Sequence, residues 1–249
     1  MRAGDGAATL RMHQQEEETD MRITWLGHSA VHLELAGKSI AIDPFWTGNP
    51  KFPQGYEERV QRIDAIVVTH GHDDHFGDTV RLAKKYGATV IGQWEICMEA
   101  ANAGVEKIQP MNTGGCIEVE GVRYAMVPAF HSSATLRDGG LFTRGDPAGF
   151  VILGEGRSVY HAGDTCLFSD MALVHRLYRP QIGFLPVGDR FTMGPEQAAI
   201  ACNEFLHLDL VVPIHWGTFD LLHGDPHEFA RQVTRGRVHI ATPGESFTA

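Results

Sequence analysis

The stretch Val67-Val68-Thr69-His70-Gly71-His72-Asp73-Asp74-His75 constrains this chain more than any other. An apolar run leads straight into three imidazoles and two carboxylates. His70 and His72 are two residues apart, so in extended geometry they point the same way. Asp74 and His75 follow at the start of the next helix and point elsewhere. The two pairs can therefore serve two neighbouring metal ions. Neutral imidazole and carboxylate are a ligand set for zinc and for harder divalent metals.

A site of that kind needs further ligands, and they occur where strands are expected to end. His131 follows Met126-Val127-Pro128, Asp164 follows Tyr160-His161-Ala162-Gly163, and His215 follows Val211-Val212-Pro213-Ile214. The carboxyl ends of strands are where open α/β sheets place their sites.

The remaining pattern supports such a fold. Short strands are expected over 23–26, 31–35 and 39–42 with turns between them, then over 64–69 and 89–91. Helices are expected over 78–87, with Asp78 as N-cap and Gly87 as the stop, and over 95–102. The second half repeats this order. Strands at 122–127, 149–153 and 158–161 precede a helix at 170–178, a strand at 182–186 and a helix at 195–206. A strand at 210–214, a helix at 226–234 and a strand at 237–241 close the chain. Hairpin strands first and strand–helix alternation after, twice over, fit two mixed β-sheets packed face to face with helices on the outer faces.

Composition excludes several classes. The 249 residues carry 21 Lys+Arg against 31 Asp+Glu, a formal charge of −10, which argues against a nucleic-acid or anionic-membrane binder. No stretch approaches the apolar length needed to span a bilayer. Cys97, Cys116, Cys166 and Cys202 are far apart and form no CxxC pair, so a disulfide scaffold is not expected. Residues 1–20 lack hydrophobic periodicity and carry no secretory h-region. They are read as a flexible N-terminal extension, leaving 21–249 as one domain in a cytoplasmic protein. Self-association into a homo-oligomer stays open.

The HxHxDH motif with the later His131, Asp164 and His215 resembles the metallo-β-lactamase superfamily. Within it, the chain resembles the predicted metal-dependent hydrolases related to ascorbate-6-phosphate lactonases. Thr24-Trp25-Leu26-Gly27-His28-Ser29, Ile42-Asp43-Pro44-Phe45, His161-Ala162-Gly163-Asp164-Thr165 and Pro213-Ile214-His215-Trp216-Gly217-Thr218 carry that likeness. The resemblance implies a four-layer αββα sandwich. It implies a first metal on His70, His72 and His131, a second on Asp74, His75 and His215, and Asp164 bridging both. Two divalent ions, zinc first and Mn, Fe or Ni as alternatives, would share a hydroxide that attacks the substrate. Asp74 would orient that nucleophile or relay a proton. The substrate is expected to be a small-molecule ester or lactone. The alternatives are a phosphodiesterase acting on lipid or nucleotide, a mononuclear iron redox enzyme, and a non-catalytic metal-binding protein. Position 72 is His, whereas the di-iron redox branch has Glu there.

Four further residues are candidates around such a centre. His28 and Asp43 are read as groups that orient ligands, since a ligating His usually gives its other N–H to an oxygen. His161 either orients Asp164 or relays a proton, with a purely structural role as the competing reading. Arg190 is the cation placed to grip an anionic substrate group with forked hydrogen bonds, or else it pairs with a surface carboxylate. Gly71 and Gly77 are assigned to tight packing beside the metals.

Overall fold

The computed structural model describes residues 21–137 and 139–249; the expected extension, residues 1–20, lies outside the described residues. The first half runs β1 (Arg22–Trp25), β2 (Val31–Leu35), β3 (Lys38–Ile42), a 3-10 turn (Glu57–Arg59) and β4 (Ala65–Val67). It continues through α1 (Asp73–Phe76), α2 (Thr79–Tyr86), β5 (Thr89–Gln93), α3 (Trp94–Asn102) and β6 (Ile108–Met111). The second half begins with β7 (Cys116–Val119), β8 (Val122–Pro128), β9 (Ala134–Arg137), β10 (Gly140–Thr143), β11 (Ala148–Gly154) and β12 (Arg157–His161). Then come α4 (Met171–Tyr178), β13 (Ile182–Pro186), α5 (Pro195–Ile200), a π-helical turn (Ala201–Leu206) and β14 (Leu210–Ile214). The chain closes with α6 (Pro226–Gln232), β15 (Arg237–Val238) and β16 (Ser246–Thr248).

These strands form two mixed seven-stranded sheets, ordered β16-β1-β2-β3-β4-β5-β6 and β15-β14-β13-β12-β11-β8-β7. In the first, β16 through β3 pair antiparallel and β3 through β6 parallel. In the second, β7, β8, β11 and β12 are antiparallel and β12 through β15 parallel. The two halves thus use the same plan, as the sequence pattern suggested. Alternation sets the layers. Trp25, Leu33, Ile40, Ile42 and Val67 of the first sheet meet Met126, Phe150, Ile152, Phe184 and Val212 of the second. On the outer faces, Leu82, Ile96 and Cys97 cover Ile66 and Val90, while Val174, Ala198 and Phe229 cover Tyr160, Leu185 and Val211. The expected αββα sandwich is the fold.

Several element boundaries differ from expectation. The helix expected over 195–206 changes to a π-helical turn after Ile200. The last expected strand pairs only over Arg237–Val238. Gly87 stops α2 in the left-handed conformation as expected, but the Asp78 carboxylate makes no capping bond. It accepts instead from the Trp46 and Thr47 backbone N–H groups, the Thr47 hydroxyl and Arg81. No helix among the described residues is long and apolar enough to cross a membrane.

Candidate metal centre

The parallel strands of both sheets deliver their carboxyl ends to one edge of the sandwich. Val67 of β4 precedes Thr69–His75, and β8, β12 and β14 precede His131, Asp164 and His215. The fold brings all seven side chains together. His70 Nε2 lies 2.9 Å from His72 Nδ1, and with His131 these residues form one group whose ligand atoms lie within 4.8 Å of one another. A second such group is Asp74, His75 and His215, which also includes His28. Asp164 sits between the groups. Its Oδ2 faces His215 Nε2 at 3.0 Å, His75 Nε2 at 3.4 Å and His131 Nε2 at 3.5 Å.

Hydrogen bonds behind the cluster fix which nitrogens face inward. Thr69 donates its backbone N–H to Asp43 Oδ1 at 2.7 Å and its hydroxyl to Asp43 Oδ2 at 2.6 Å. Its hydroxyl proton thus committed, the Thr69 oxygen 3.0 Å from His70 Nδ1 accepts a bond from that ring. His75 Nδ1 donates to Asp43 Oδ2 at 2.8 Å. One carboxylate therefore holds His70 through Thr69 and His75 directly, and turns Nε2 of both rings toward the centre. His28 Nε2 reaches Asp74 Oδ2 at 2.9 Å. His28 thus touches Asp74, and Asp43 touches Thr69 and His75.

The donor chemistry fits divalent cations. His75 Nε2, Asp164 Oδ1, His215 Nδ1 and His28 Nδ1 are buried with no hydrogen-bond partner among the described residues. Burial opposes ionisation of Asp164, yet His215 and His75 hold its carboxyl well below the usual carboxylate range. Burial also opposes a proton on His75, but Asp164, Asp43 and Asp74 pull it well above the usual histidine value. Burial, reinforced by His75, keeps His70 well below that value. For His28, burial and then His215 lower the ring to about 4. The carboxylates thus draw positive charge into the centre, and neutral rings around it offer lone pairs. That is the donor set a divalent cation requires.

The backbone bends sharply to make these placements. His28, Asp43 and His215 have φ values of 56°, 43° and 56°. The carbonyl of His28 receives the His215 backbone N–H at 3.0 Å and Trp25 Nε1 at 3.0 Å. These bonds tie the end of β1 to the end of β14 across the two sheets.

The ligand loop also has supports that sequence reasoning missed. Arg144, whose side chain is 5% exposed, donates from Nη1 to Gly71 O at 2.6 Å. Its Nε and Nη2 grip Glu99 at 2.6 and 2.7 Å, and its guanidinium lies 4.5 Å from the centre of the Phe76 ring. Ser133 Oγ accepts from Gly71 N–H and donates to Arg144 O. A Cβ on Gly71 would stand 2.2 Å from Arg144 Cβ, and one on Gly77 would stand 2.6 Å from Pro44 O. Both glycines are there for close packing, as expected. Arg144, Glu99 and Ser133 lie far from the motif in sequence and carry no spacing signal.

His161 is placed differently from the ligand supports. It is fully buried, with Nε2 donating to Ser29 O at 3.0 Å and Nδ1 accepting from Gly163 N–H at 3.2 Å. It shapes the turn before Asp164. Arg190 is exposed and lies 5.5 Å from the centre of the Phe191 ring; it makes no ion pair among the described residues. Its loop is stitched to the Asp164 turn through Asp189 N–H to Met193 O and Met193 N–H to Thr165 O, both at 3.0 Å. Beside Asp74 opens a cavity of about 490 Å³ walled by Phe45 and Phe219, with Asp73, Asp78 and Thr47 at its edge. Trp46 is core, and Trp216 stacks on Trp25 at 5.5 Å.

Comparison with known proteins agrees with this architecture. A family model described as "Beta-lactamase superfamily domain" matches residues 38–216. A UPF0173 metal-dependent hydrolase of Methanopyrus kandleri is 48% identical over 231 residues, covering 91% of this chain and 99% of the relative. Another from Methylocella silvestris is 45% identical, covering 90% and 97%. A solved metallo hydrolase from the archaeon Ignicoccus hospitalis superposes with a TM-score of 0.84 at 36% identity, covering 93% of this chain and 99% of that one. By sequence and by fold alike, the chain belongs to the β-lactamase superfamily and, within it, to the UPF0173 metal-dependent hydrolases.

Proposed function

We propose that this metal-dependent hydrolase cleaves a small-molecule ester or lactone at two divalent cations, with zinc as the first choice and Mn, Fe or Ni as alternatives. His70, His72 and His131 would hold one cation, Asp74, His75 and His215 the other, and Asp164 both. The observation that carries this reading is Asp164 Oδ2 facing imidazole nitrogens of both groups at 3.0 to 3.5 Å. A carboxylate so placed has a use between two cations and little use beside one. When bound, such a pair polarises the electrophilic oxygen and brings the pKa of a water from 15.7 down toward about 7.

The chain's own groups would do the rest. Asp74, fixed by His28, would orient the attacking water. Phe45 and Phe219 would seat the apolar part of the substrate beside it, and among the described residues no lysine or arginine lines that cavity. That lining speaks against a long polyanion such as a nucleic acid. An anionic group on the substrate would belong on the Arg190 side, on the loop stitched to the Asp164 turn. A cytoplasmic location is part of the same proposal.

Metal analysis together with a substrate panel tests it. Fully loaded protein should hold two metals per chain, and a chelator should abolish cleavage of esters or lactones that added metal restores. Saturation at one metal per chain with all seven residues intact refutes the binuclear reading. Turnover confined to phosphodiesters refutes the substrate class.

A further inference from the structure

A second cavity, of about 590 Å³, lies on the outer face of the first sheet and shares no lining residue with the metal cluster. Strand register creates it. Arg22 pairs with Glu34, Thr24 with His32 and with Ser246, and Glu34 with Ser39, so these polar side chains share one face. No residue of α1, α2 or α3 lines the cavity; the 3-10 turn and the chain running on to Arg62 wall it instead. Thr24, His32 and Ser39 are nonetheless more than nine-tenths buried, at 4%, 8% and 6% exposure.

The floor is a chain of hydrogen bonds with one direction. Ser39 Oγ donates to Arg62 O at 2.6 Å, a partner that only accepts. His32 Nε2 must then donate to Ser39 Oγ at 2.7 Å. Burial lowers the His32 pKa, so the ring is neutral at neutral pH and its Nδ1 accepts from the Tyr56 hydroxyl at 2.7 Å. Beside this row the Thr24 and Ser246 hydroxyls share a hydrogen bond at 2.7 Å. The protons of Tyr56, His32 Nε2 and Ser39 are each spent on the next member. The Ser39 and Tyr56 oxygens are left with lone pairs, and they can take hydrogen bonds from a ligand but give none.

The rim has the opposite character. Arg22, Arg59 and Arg62 line it against one carboxylate, Glu34. Arg22 reaches Glu34 at 3.4 Å, and Arg62 is held by Asp64 at 2.9 Å and by Gly37 O. Arg59 has no carboxylate partner among the described residues; it lies 5.3 Å from the centre of the Tyr56 ring and gives Nε–H to Gly55 O. In a chain of net charge −10, three guanidiniums around one polar hollow are a local reversal of sign.

We propose that this cavity is a second ligand site, for a small organic anion with hydroxyl groups. Its phosphate- or carboxylate-like end would meet Arg59, Arg62 and Arg22, and its hydroxyls would donate to the acceptor floor. Guanidinium forks suit such oxyanions geometrically. The site does not depend on how the metal cluster works.

Calorimetric titration of the full, metal-loaded chain with 2-hydroxyethylphosphonate tests this, because its P–C bond resists hydrolysis. Saturable binding is expected, tighter than for methylphosphonate, and none for glycerol. The Arg59→Ala/Arg62→Ala protein should lose about tenfold or more in affinity, the loss expected for charge-assisted hydrogen bonds. His215→Ala should stay within about twofold, a change too small for a lost contact. Affinity lost in His215→Ala but kept in the arginine variant would overturn the proposal, since the ligand would then sit at the metal cluster. Equal binding of the two phosphonates would overturn the role of the acceptor floor. Both arginines are exposed, and an unchanged melting temperature confirms that their loss is not a folding defect.

Discussion

Replacing Arg144 by Ala should loosen the ligand loop from behind. Glu99 is 23% exposed and takes two bonds from this guanidinium. Burial works against the Glu99 charge, and Arg144 followed by Arg137 keeps its carboxyl below the usual value. Removing one partner of a buried pair costs about 3–5 kcal/mol. Arg137 also binds Glu99 and remains, and the site is partly wet, so about 2 kcal/mol is the share to expect here. Gly71 O loses its donor as well, which adds about 1 kcal/mol. For a chain of this size each kcal/mol moves the melting temperature by about 2–4 °C. Arg144→Ala should therefore melt about 6–12 °C lower. Gly71 lies between His70 and His72, so metal affinity should also fall, by about 10- to 100-fold, as for other losses of ligand support. Arg144→Lys keeps the charge but not the fork and should recover less than half of either effect. The assays are thermal unfolding of metal-free protein and competitive zinc titration against a chromophoric chelator. Melting within about 2 °C of wild type would refute the reasoning, because that is at most about 1 kcal/mol here.

Three other outcomes follow from the same geometry. His215→Ala should weaken one metal and leave the His70, His72 and His131 group loaded, whereas Asp164→Ala should damage both; elemental analysis showing the same single loss in each would refute the shared role of Asp164. Arg190→Ala should reduce kcat/KM for an anionic substrate by about 10- to 150-fold, the cost of a charge-assisted hydrogen bond, with metal content unchanged; equal turnover by both proteins would exclude Arg190. Burial holds His161 below its ordinary value of 6.5. The unfolded chain therefore takes up the proton first, and stability present above about pH 6.5 is lost as pH falls toward the folded value. Urea midpoints at pH 7.5 and 5.5 should fall by less in His161→Gln than in wild type, and an equal or larger fall would count against it.

Much of this arrangement was legible from local chemistry. Apolar runs such as Ile182–Pro186 and Leu210–Ile214 mark central strands buried throughout, and their limits coincide with those expected. The seven clustered His and Asp residues stood out because they lie just past such runs. Edge strands were not. β6 contains Pro110, which argues against a strand, yet an edge tolerates it. β7, β9, β10 and β16 are short and half-exposed, so no apolar run marks them. The strand expected to continue to Ala241 keeps one bond, His239 N–H to Val211 O, and then leaves the sheet. Arg144 and Glu99 meet across 45 residues, a tertiary pairing that periodicity cannot reveal. Asp43 was read as an orienting group, but its hold on His70 passes through Thr69, a residue with no distinguishing pattern of its own.

The left-handed backbone at His28, Asp43 and His215 bears on how this protein can be engineered. Each conformation costs a side-chain-bearing residue about 1–2 kcal/mol that glycine would not pay, somewhat less for Asp and His. Glycine at these positions would relax the chain, so a screen for thermal tolerance alone has a standing incentive to replace residues of the candidate metal centre. Libraries selected by heat challenge should accumulate inactive clones at positions 28, 43 and 215 unless those three codons are held fixed. Stabilising changes are better sought at Leu136 and Leu141 of the β9–β10 hairpin, whose side chains face solvent at 72% and 74% exposure.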